Sequence, residues 1–131
     1  MKVESDMPLK ERLGLLPEMS TYFLRAPQEF WQELGFKQAP YDDNSGEYEF
    51  IHAFFTSKDE MSNFADILIS KLAHGGMMWI SWPKLSAHNY NPSDITEQDL
   101  RDVFLPLGVV DTKVCNVTDV WSGLKFVWRN N

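Results

Sequence analysis

The chain has 131 residues, a net charge of −7 and a hydrophobic content of 44%. This length is typical of one domain, and the hydrophobic content excludes an intrinsically disordered chain. Nineteen acidic residues against twelve scattered basic ones exclude the basic surface that nucleic-acid binding requires. We therefore expect a single domain over 1–131 with a charged lead-in over 1–20.

The sequence also argues against a membrane protein and against an oxidising compartment. No apolar run reaches the roughly 20 residues that cross a bilayer, and the first residues lack the apolar core of a secretion signal. Cys115 is the only cysteine, so an internal disulfide is excluded. These observations predict a cytoplasmic protein with no membrane or nucleic-acid partner.

Strand and helix patterns alternate along the chain after the lead-in, which contains a short helix ending near Gly14. Residues 21–26 are apolar and predict a strand. A helix then begins near Pro27 and ends at Gly35, where proline and glycine are typical of a helix start and a helix end. A weak second strand over 36–40 leads into the polar turn "DDNSGE".

The middle of the chain carries the clearest strands. "YEFIHAFFTS" (48–57) is aromatic and almost wholly apolar, which predicts a strand covered on both faces. Ser57 and Glu60 have the spacing of a capping box at the start of the next helix, which "HGG" is expected to close. "MMWISWP" (77–83) predicts a second doubly buried strand.

The last third predicts a helix and two antiparallel strands. Residues 95–107 show a helical apolar repeat after the capping-box pair Thr96 and Asp99. Two strands then meet at a turn around 121–123, where Gly123 is expected to supply a positive φ. This connection is too short for a parallel crossover. The pattern predicts a three-layer α/β fold with a mostly parallel sheet and a C-terminal antiparallel hairpin.

Several stretches carry a resemblance to known families. "FTSKDE", "GGMMWISWPKLS" and "GVVDTKVCNVTDVWSGLKFVWR" resemble a family of small uncharacterised bacterial proteins with a Rossmann-like fold. "YEFIHAFFTS" and "LAHGGMMWISWPK" are also distantly similar to the second half of class I S-adenosylmethionine-dependent methyltransferases. The resemblance implies one truncated, Rossmann-like (methyltransferase-like) domain and assigns no activity.

The methyltransferase likeness further implies an order of strands. The 21–26 strand lies centrally, with the 36–40 strand on one side and the 48–56 and 77–82 strands on the other. The last strand of the chain lies antiparallel between the 77–82 strand and the 112–118 strand. One strand–helix unit of a full methyltransferase has no room between the polar turn and the 48–56 strand.

The first strand–helix corner departs from this family. Methyltransferases of this class have a motif of the type G-x-G-x-G there, because the backbone must approach the cofactor closely. The matching residues here are "RAPQE", in which side chains crowd the corner and Pro27 lacks a backbone N–H. We therefore expect no cofactor, and S-adenosylmethionine is disfavoured.

Candidate ligand-binding residues follow the predicted strands, because ligands of open α/β sheets bind at the carboxyl ends of the strands. They are Arg25, Asp42, Ser57, Ser81, Trp82, Lys84 and Asp94. Arg25 suits a carboxylate or phosphate, or else an ion pair with Asp42 or Glu29. Lys84 suits an anion-binding or base role, or an ion pair with Asp94.

The remaining candidates have equally plain structural interpretations. Asp42 follows the second strand, where methyltransferases hold the ribose of the cofactor, but it also fits an ordinary turn. Trp82 suits a ring-stacking wall or core packing. His52 lies within a strand, where a buried, hydrogen-bonded histidine is more frequent than an acid–base group. No histidine or cysteine spacing indicates a metal site.

The main functional hypothesis is a non-catalytic, degenerate methyltransferase-like domain that binds a small anionic ligand or a protein partner. The alternative is an S-adenosylmethionine-dependent methyltransferase with an atypical cofactor loop, in which Arg25, Asp42 and Lys84 replace the glycine-rich loop. A homodimer through the helix of Trp31 is a further hypothesis, since its aromatic residues leave apolar surface exposed.

Overall fold

A computed structural model describes residues 7–35, 46–87 and 92–130. The helices are α1 (Leu9–Leu13), α2 (Gln28–Leu34), α3 (Lys58–Lys71) and α4 (Glu97–Phe104). The strands are β1 (Thr21–Leu24), β2 (Tyr48–Phe54), β3 (Leu72–Pro83), β4 (Val109–Asn116) and β5 (Trp121–Trp128). Within these ranges, no helix has the length and apolar character needed to cross a membrane.

The five strands form one sheet in the order β1-β2-β3-β5-β4. β1 pairs parallel with β2, and β2 pairs parallel with β3. β5 lies between β3 and β4 and is antiparallel to both. For the described strands, this order is the one that the methyltransferase resemblance implies, although β1 lies at the edge of the described sheet, and its predicted central position is not tested. The predicted three-layer α/β fold with its C-terminal hairpin is confirmed. The predicted strand over 36–40 lies outside the described residues.

Helices cover both faces of the sheet and form two cores. On one face, α1 and α2 pack residues such as Phe30 against Trp79 of β3. On the opposite face, α3 and α4 pack Leu68 and Phe104 against Ile80. Successive side chains of a strand point to opposite faces, so a strand buried on both sides needs apolar residues at consecutive positions. The continuous apolar runs of β2 and β3 meet this requirement.

The helix ends follow the capping signals of the sequence in most cases. The predicted capping box of α4 forms, with Thr96 accepting from the Asp99 N–H and the Asp99 side chain accepting from the Thr96 N–H. At α3, Ser57 accepts from the Glu60 N–H at 3.3 Å, but the Glu60 carboxylate binds elsewhere. Gly35 ends α2 with a φ of 91°, a left-handed conformation that glycine adopts freely.

The end of α3 differs from its prediction. The helix ends at Lys71, and "HGG" lies inside β3, where the pairing with β2 is irregular. A Cβ added to Gly76 would lie 2.9 Å from the carbonyl oxygen of Glu49. Glycine is therefore needed there for the close approach of two strands and not to end the helix.

The hairpin turn also differs from its prediction. The chain turns over 117–120, so Gly123 lies inside β5, opposite Ser81 of β3. A Cβ on Gly123 would lie 2.8 Å from Cγ2 of Val117 and 3.0 Å from Oγ of Ser81. The expected positive φ at this glycine is wrong, because the constraint is close packing on one face of the sheet.

Candidate functional site

The carboxyl ends of β1, β2 and β3 lie along one edge of the sheet, because these strands are parallel. The chain leaves β1 to form α2 on one face and leaves β2 to form α3 on the other face. Two neighbouring strands whose helices turn to opposite faces leave a crevice between their carboxyl ends, which is where ligands of such sheets bind. We call the space between the ends of β1 and β2 the crevice.

Arg25 is the first residue after β1 and borders the crevice. Its φ is 60°, and among the described residues it is the only non-glycine residue with a positive φ. Its Nε lies 3.1 Å from Oε1 of Glu60 in the first turn of α3. Its guanidinium carbon lies 5.7 Å from the centre of the Phe64 ring. The ion pair therefore joins the end of β1 to the helix that follows β2, across the crevice.

Of the two carboxylates considered for Arg25 from the sequence, Glu29 is not its partner, and a pairing with Asp42 stays a prediction. Asp42 lies outside the described residues, and Glu29 instead accepts a hydrogen bond from Nε1 of Trp121 at 3.0 Å. Glu60 was overlooked because its spacing from Ser57 indicated a capping role. The packing of α3 on the sheet decides which way the Glu60 side chain points. The spacing of residues along the sequence carries no information about that packing.

The side chains of the corner do not crowd it as the sequence suggested. Arg25 takes the left-handed backbone that glycine commonly supplies, and its side chain, 50% exposed, extends towards α3. Pro27 has an extended backbone and occupies the N-cap position of α2 without a side-chain capping hydrogen bond. Ala26 and Pro27 are only half-buried. The crowding expected from the sequence is therefore not observed, whereas the missing backbone N–H of Pro27 remains.

Two other candidates, Ser57 and Asp94, meet at the start of α3. Ser57 is the N-cap residue, and Oδ1 of Asp94 accepts from the Lys58 N–H at 2.8 Å. Nζ of Lys58 lies 3.6 Å from Oδ1 of Asp99, whose pKa is held low mainly by the hydrogen bond from the Thr96 backbone. The protein's own side chains thus bind the first N–H groups of α3 and leave little for an external anion.

Lys84 does not pair with Asp94, so that predicted ion pair is wrong. Within the described ranges the Lys84 ammonium makes no ion pair, and the residue is half-buried. Its backbone is held on both sides: its N–H donates to the Val120 carbonyl at 2.7 Å, and its carbonyl accepts from the Ala87 N–H at 2.9 Å. Its anion-binding role stays a prediction.

The last two candidates, Ser81 and Trp82, lie inside the cores and not at the crevice. Oγ of Ser81 is 2.7 Å from Nε2 of His52, and both residues are fully buried. Burial lowers the pKa of His52 to about 3, because the imidazolium would lose its hydration. Trp82 is 8% exposed and packs in the α3–α4 core. The interpretation of His52 as a buried, hydrogen-bonded residue is confirmed.

A cleft lies between α2 and the hairpin turn at the same edge of the sheet. Its volume is about 390 Å³, and its lining residues are Glu29, Gln32, Glu33, Thr118, Asp119 and Val120. Three carboxylates favour cationic groups and disfavour anions. The sequence did not indicate this cleft, because its pattern predicts the hairpin turn around 121–123 and not over 117–120, where the chain turns.

The surface for a homodimer is smaller than the sequence suggested. Phe30 is fully buried, and Trp31 is half-buried with its ring 4.7 Å from that of Phe23 in an edge-on contact. A dimer through α2 stays a prediction.

Known proteins match this chain in fold and not in sequence. No protein-family model and no curated protein sequence matches it. Human N-acetylserotonin methyltransferase in complex with S-adenosylmethionine has 12% identity and a TM-score of 0.57, over 91% of this chain and 43% of that one. Magnesium protoporphyrin IX methyltransferase from Synechocystis PCC 6803 with bound S-adenosylmethionine has 15% identity and a TM-score of 0.51, over 77% of this chain and 51% of that one.

A third match is the N-methyltransferase NodS from Bradyrhizobium japonicum WM9 in complex with S-adenosylhomocysteine, at 11% identity and a TM-score of 0.51, over 84% of this chain and 66% of that one. Identities this low establish a shared fold. The chain spans about half to two thirds of the length of these last two methyltransferases. The resemblance to class I S-adenosylmethionine-dependent methyltransferases is confirmed at the level of fold.

These matches correct one expectation and change the balance between two hypotheses. The expectation of no cofactor is contradicted, because the three matched structures hold S-adenosylmethionine or S-adenosylhomocysteine. The main hypothesis, a non-catalytic domain, gains no support from them. The alternative, a methyltransferase with an atypical cofactor loop, is the better supported of the two.

Proposed function

We propose that this chain binds S-adenosylmethionine in the crevice and is a methyltransferase domain with an atypical cofactor corner. The observation that supports the proposal is the divergence of α2 and α3 to opposite faces of the sheet between β1 and β2, in a fold shared with S-adenosylmethionine-bound methyltransferases. When bound, the cofactor supplies an activated methyl group.

The residues around the crevice fit such a cofactor in two respects. The left-handed backbone of Arg25 provides the tight turn after β1 for which glycine is the usual residue. The Arg25 guanidinium is half exposed and already binds one carboxylate, that of Glu60. Planar guanidinium groups bind carboxylates in a fixed geometry, so this side chain suits the amino-acid end of the cofactor.

The chemistry of the described residues limits what else the chain contributes. His52 is neutral and out of reach of solvent, so it does not move a proton at the crevice. Arg25 and Glu60 bind and orient groups of a ligand. We therefore propose that the chain acts on its ligand by positioning, which is a sufficient role where the cofactor carries the reactive group.

The test is calorimetric titration with S-adenosylmethionine and S-adenosylhomocysteine, with ATP as a control ligand. Ligand at about 100 times Kd stabilises the fold by about 2.7 kcal/mol, which also raises Tm by several degrees. Thr56, exposed just after β2, provides a blocking variant, Thr56→Trp. Thr112→Trp places the same bulky ring on the exposed side of β4, far along the sheet.

We expect the wild-type chain and Thr112→Trp to bind both adenosyl ligands and Thr56→Trp to lose them. Binding that survives Thr56→Trp would place the ligand elsewhere. Failure of the wild-type chain to bind either ligand would contradict the proposal.

A further inference from the structure

The Arg25–Glu60 ion pair lies across the mouth of the crevice. Arg25 directly follows β1, and Glu60 is in the first turn of the helix that follows β2. The pair is open to solvent, with the two side chains 50% and 33% exposed. A ligand that enters between the ends of β1 and β2 therefore meets this pair.

The backbone of Arg25 suggests a role beyond a surface ion pair. A left-handed φ is unfavourable for a residue with a Cβ, and Arg25 is the only described non-glycine residue that adopts one. An exposed ion pair contributes little to stability, so the contact with Glu60 does not by itself explain the strain. Strained backbone at a ligand crevice is an observation from which a functional role is properly inferred.

We propose that Glu60 is an internal competitor: its carboxylate occupies Arg25 in the free protein, and the carboxylate of an incoming ligand displaces it. This inference rests on the proposed function, because it concerns the same crevice. No covalent bond changes; one carboxylate replaces another on the guanidinium. The Phe64 ring, which lies near the guanidinium, keeps the arginine in place while its partner changes.

The strength of the Arg25–Glu60 ion pair determines how much the affinity for a carboxylate ligand should change in each variant. Exposed ion pairs have coupling energies that correspond to about a two- to five-fold change in an equilibrium constant. Removing the competitor should therefore tighten a carboxylate ligand by about two- to five-fold. Removing the arginine should weaken the same ligand by about ten-fold or more, because a hydrogen bond to a charged group is lost.

The experiment compares S-adenosylhomocysteine with 5′-methylthioadenosine, which lacks the amino-acid carboxylate. Both are titrated into wild type, Glu60→Gln and Arg25→Asn by calorimetry. Asparagine tolerates a left-handed φ and removes the charge. Glu97→Gln is the matched control, because it makes the same change of charge at the Arg101–Glu97 pair on α4.

We expect Glu60→Gln to tighten S-adenosylhomocysteine and Arg25→Asn to weaken it, with 5′-methylthioadenosine unchanged and Glu97→Gln like wild type. The inference would be overturned if both ligands bind but neither affinity changes in Glu60→Gln or Arg25→Asn, or if the two affinities change by the same factor. Either result would leave the proposed function standing. A chain that binds neither ligand would overturn both.

A second measurement needs no ligand. The Nε–H resonance of Arg25 in a nitrogen–proton NMR spectrum reports its acceptor directly. Glu60→Gln should shift this resonance and speed its exchange with water, whereas Glu97→Gln should leave it unchanged. An unchanged resonance in Glu60→Gln would mean that Glu60 does not occupy the arginine, and it would overturn the inference.

Discussion

Nε2 of His52 lies 2.7 Å from Oγ of Ser81 in the middle of the sheet, and both residues are fully buried. The imidazole stacks on the Phe54 ring, with the ring centroids 4.3 Å apart. Its other nitrogen, Nδ1, has no hydrogen-bond partner among the described residues. His52 thus makes one side-chain hydrogen bond and is otherwise surrounded by aromatic rings. These surroundings favour the neutral imidazole over the charged one.

This burial predicts a loss of stability in acid. The pKa of His52 falls from 6.5 in the unfolded chain to about 3 in the folded protein, because burial penalises the charged ring. Its contribution to stability is therefore complete above pH 6.5 and is lost as the pH falls from 6.5 towards 3. The loss is at most about 1.4 kcal/mol per pH unit.

The measurement is urea unfolding of wild type and His52→Gln at several pH values between neutral and acidic. The other titrating groups are the same in both proteins. The difference in free energy of unfolding between wild type and His52→Gln therefore isolates the contribution of the histidine. We expect wild type to be the more stable protein at neutral pH and the difference to narrow in acid. Parallel curves would mean that His52 is accessible to protons in the folded state.

Gly123 predicts a second effect on stability. An alanine methyl at this position would lie 2.8 Å from Cγ2 of Val117, so Gly123→Ala should cost about 1–3 kcal/mol of the free energy of unfolding. Val117→Ala opens that space and should recover part of the cost in the double variant. Denaturant unfolding of both single variants and the double variant measures the coupling. Strictly additive costs would contradict the predicted contact.

The sequence predicted the sheet because its strands are buried on both faces. β2 and β3 show this as short, almost continuous apolar runs over 50–54 and 77–83, and their length and aromatic content favour strands over buried helices. The glycines predicted the ends of helices and strands less well. Gly76 and Gly123 resembled helix and turn signals, but both are required by contacts with neighbouring strands that are remote in sequence.

The position of the candidate site could be predicted from the sequence, but the side-chain contacts within it could not. Arg25 follows a parallel strand, so its place at the carboxyl edge follows from topology alone. Its partner Glu60 lies in another element, and so does the Lys58 N–H that Asp94 binds. Which side chains meet there depends on how α3 packs on the sheet, and local spacing carries no information about that packing.

The contact of Asp94 with α3 predicts that this residue is a helix cap. Oδ1 of Asp94 accepts from the Lys58 N–H at the first position of α3, where a negative charge also interacts favourably with the helix dipole. Asp94→Ala should cost about 1 kcal/mol and Asp94→Asn less, because the amide oxygen still accepts the hydrogen bond. Asp66→Ala, on the exposed side of α3, is the control and should cost little. Equal losses in Asp94→Ala and Asp66→Ala would exclude a capping role.

The backbone of Arg25 predicts an unusual order of stability among its variants. Arg25→Ala and Arg25→Gly both remove the ion pair with Glu60, but only glycine adopts a φ of 60° without strain. Relief of that strain exceeds the entropy that glycine gains in the unfolded chain, so Arg25→Gly should be more stable than Arg25→Ala by about 0.5–1 kcal/mol. Asparagine, which tolerates the left-handed region, should lie between them. Thermal unfolding of the three variants side by side measures the order, and an alanine variant as stable as the glycine variant would show that the corner relaxes to a negative φ once the arginine is gone.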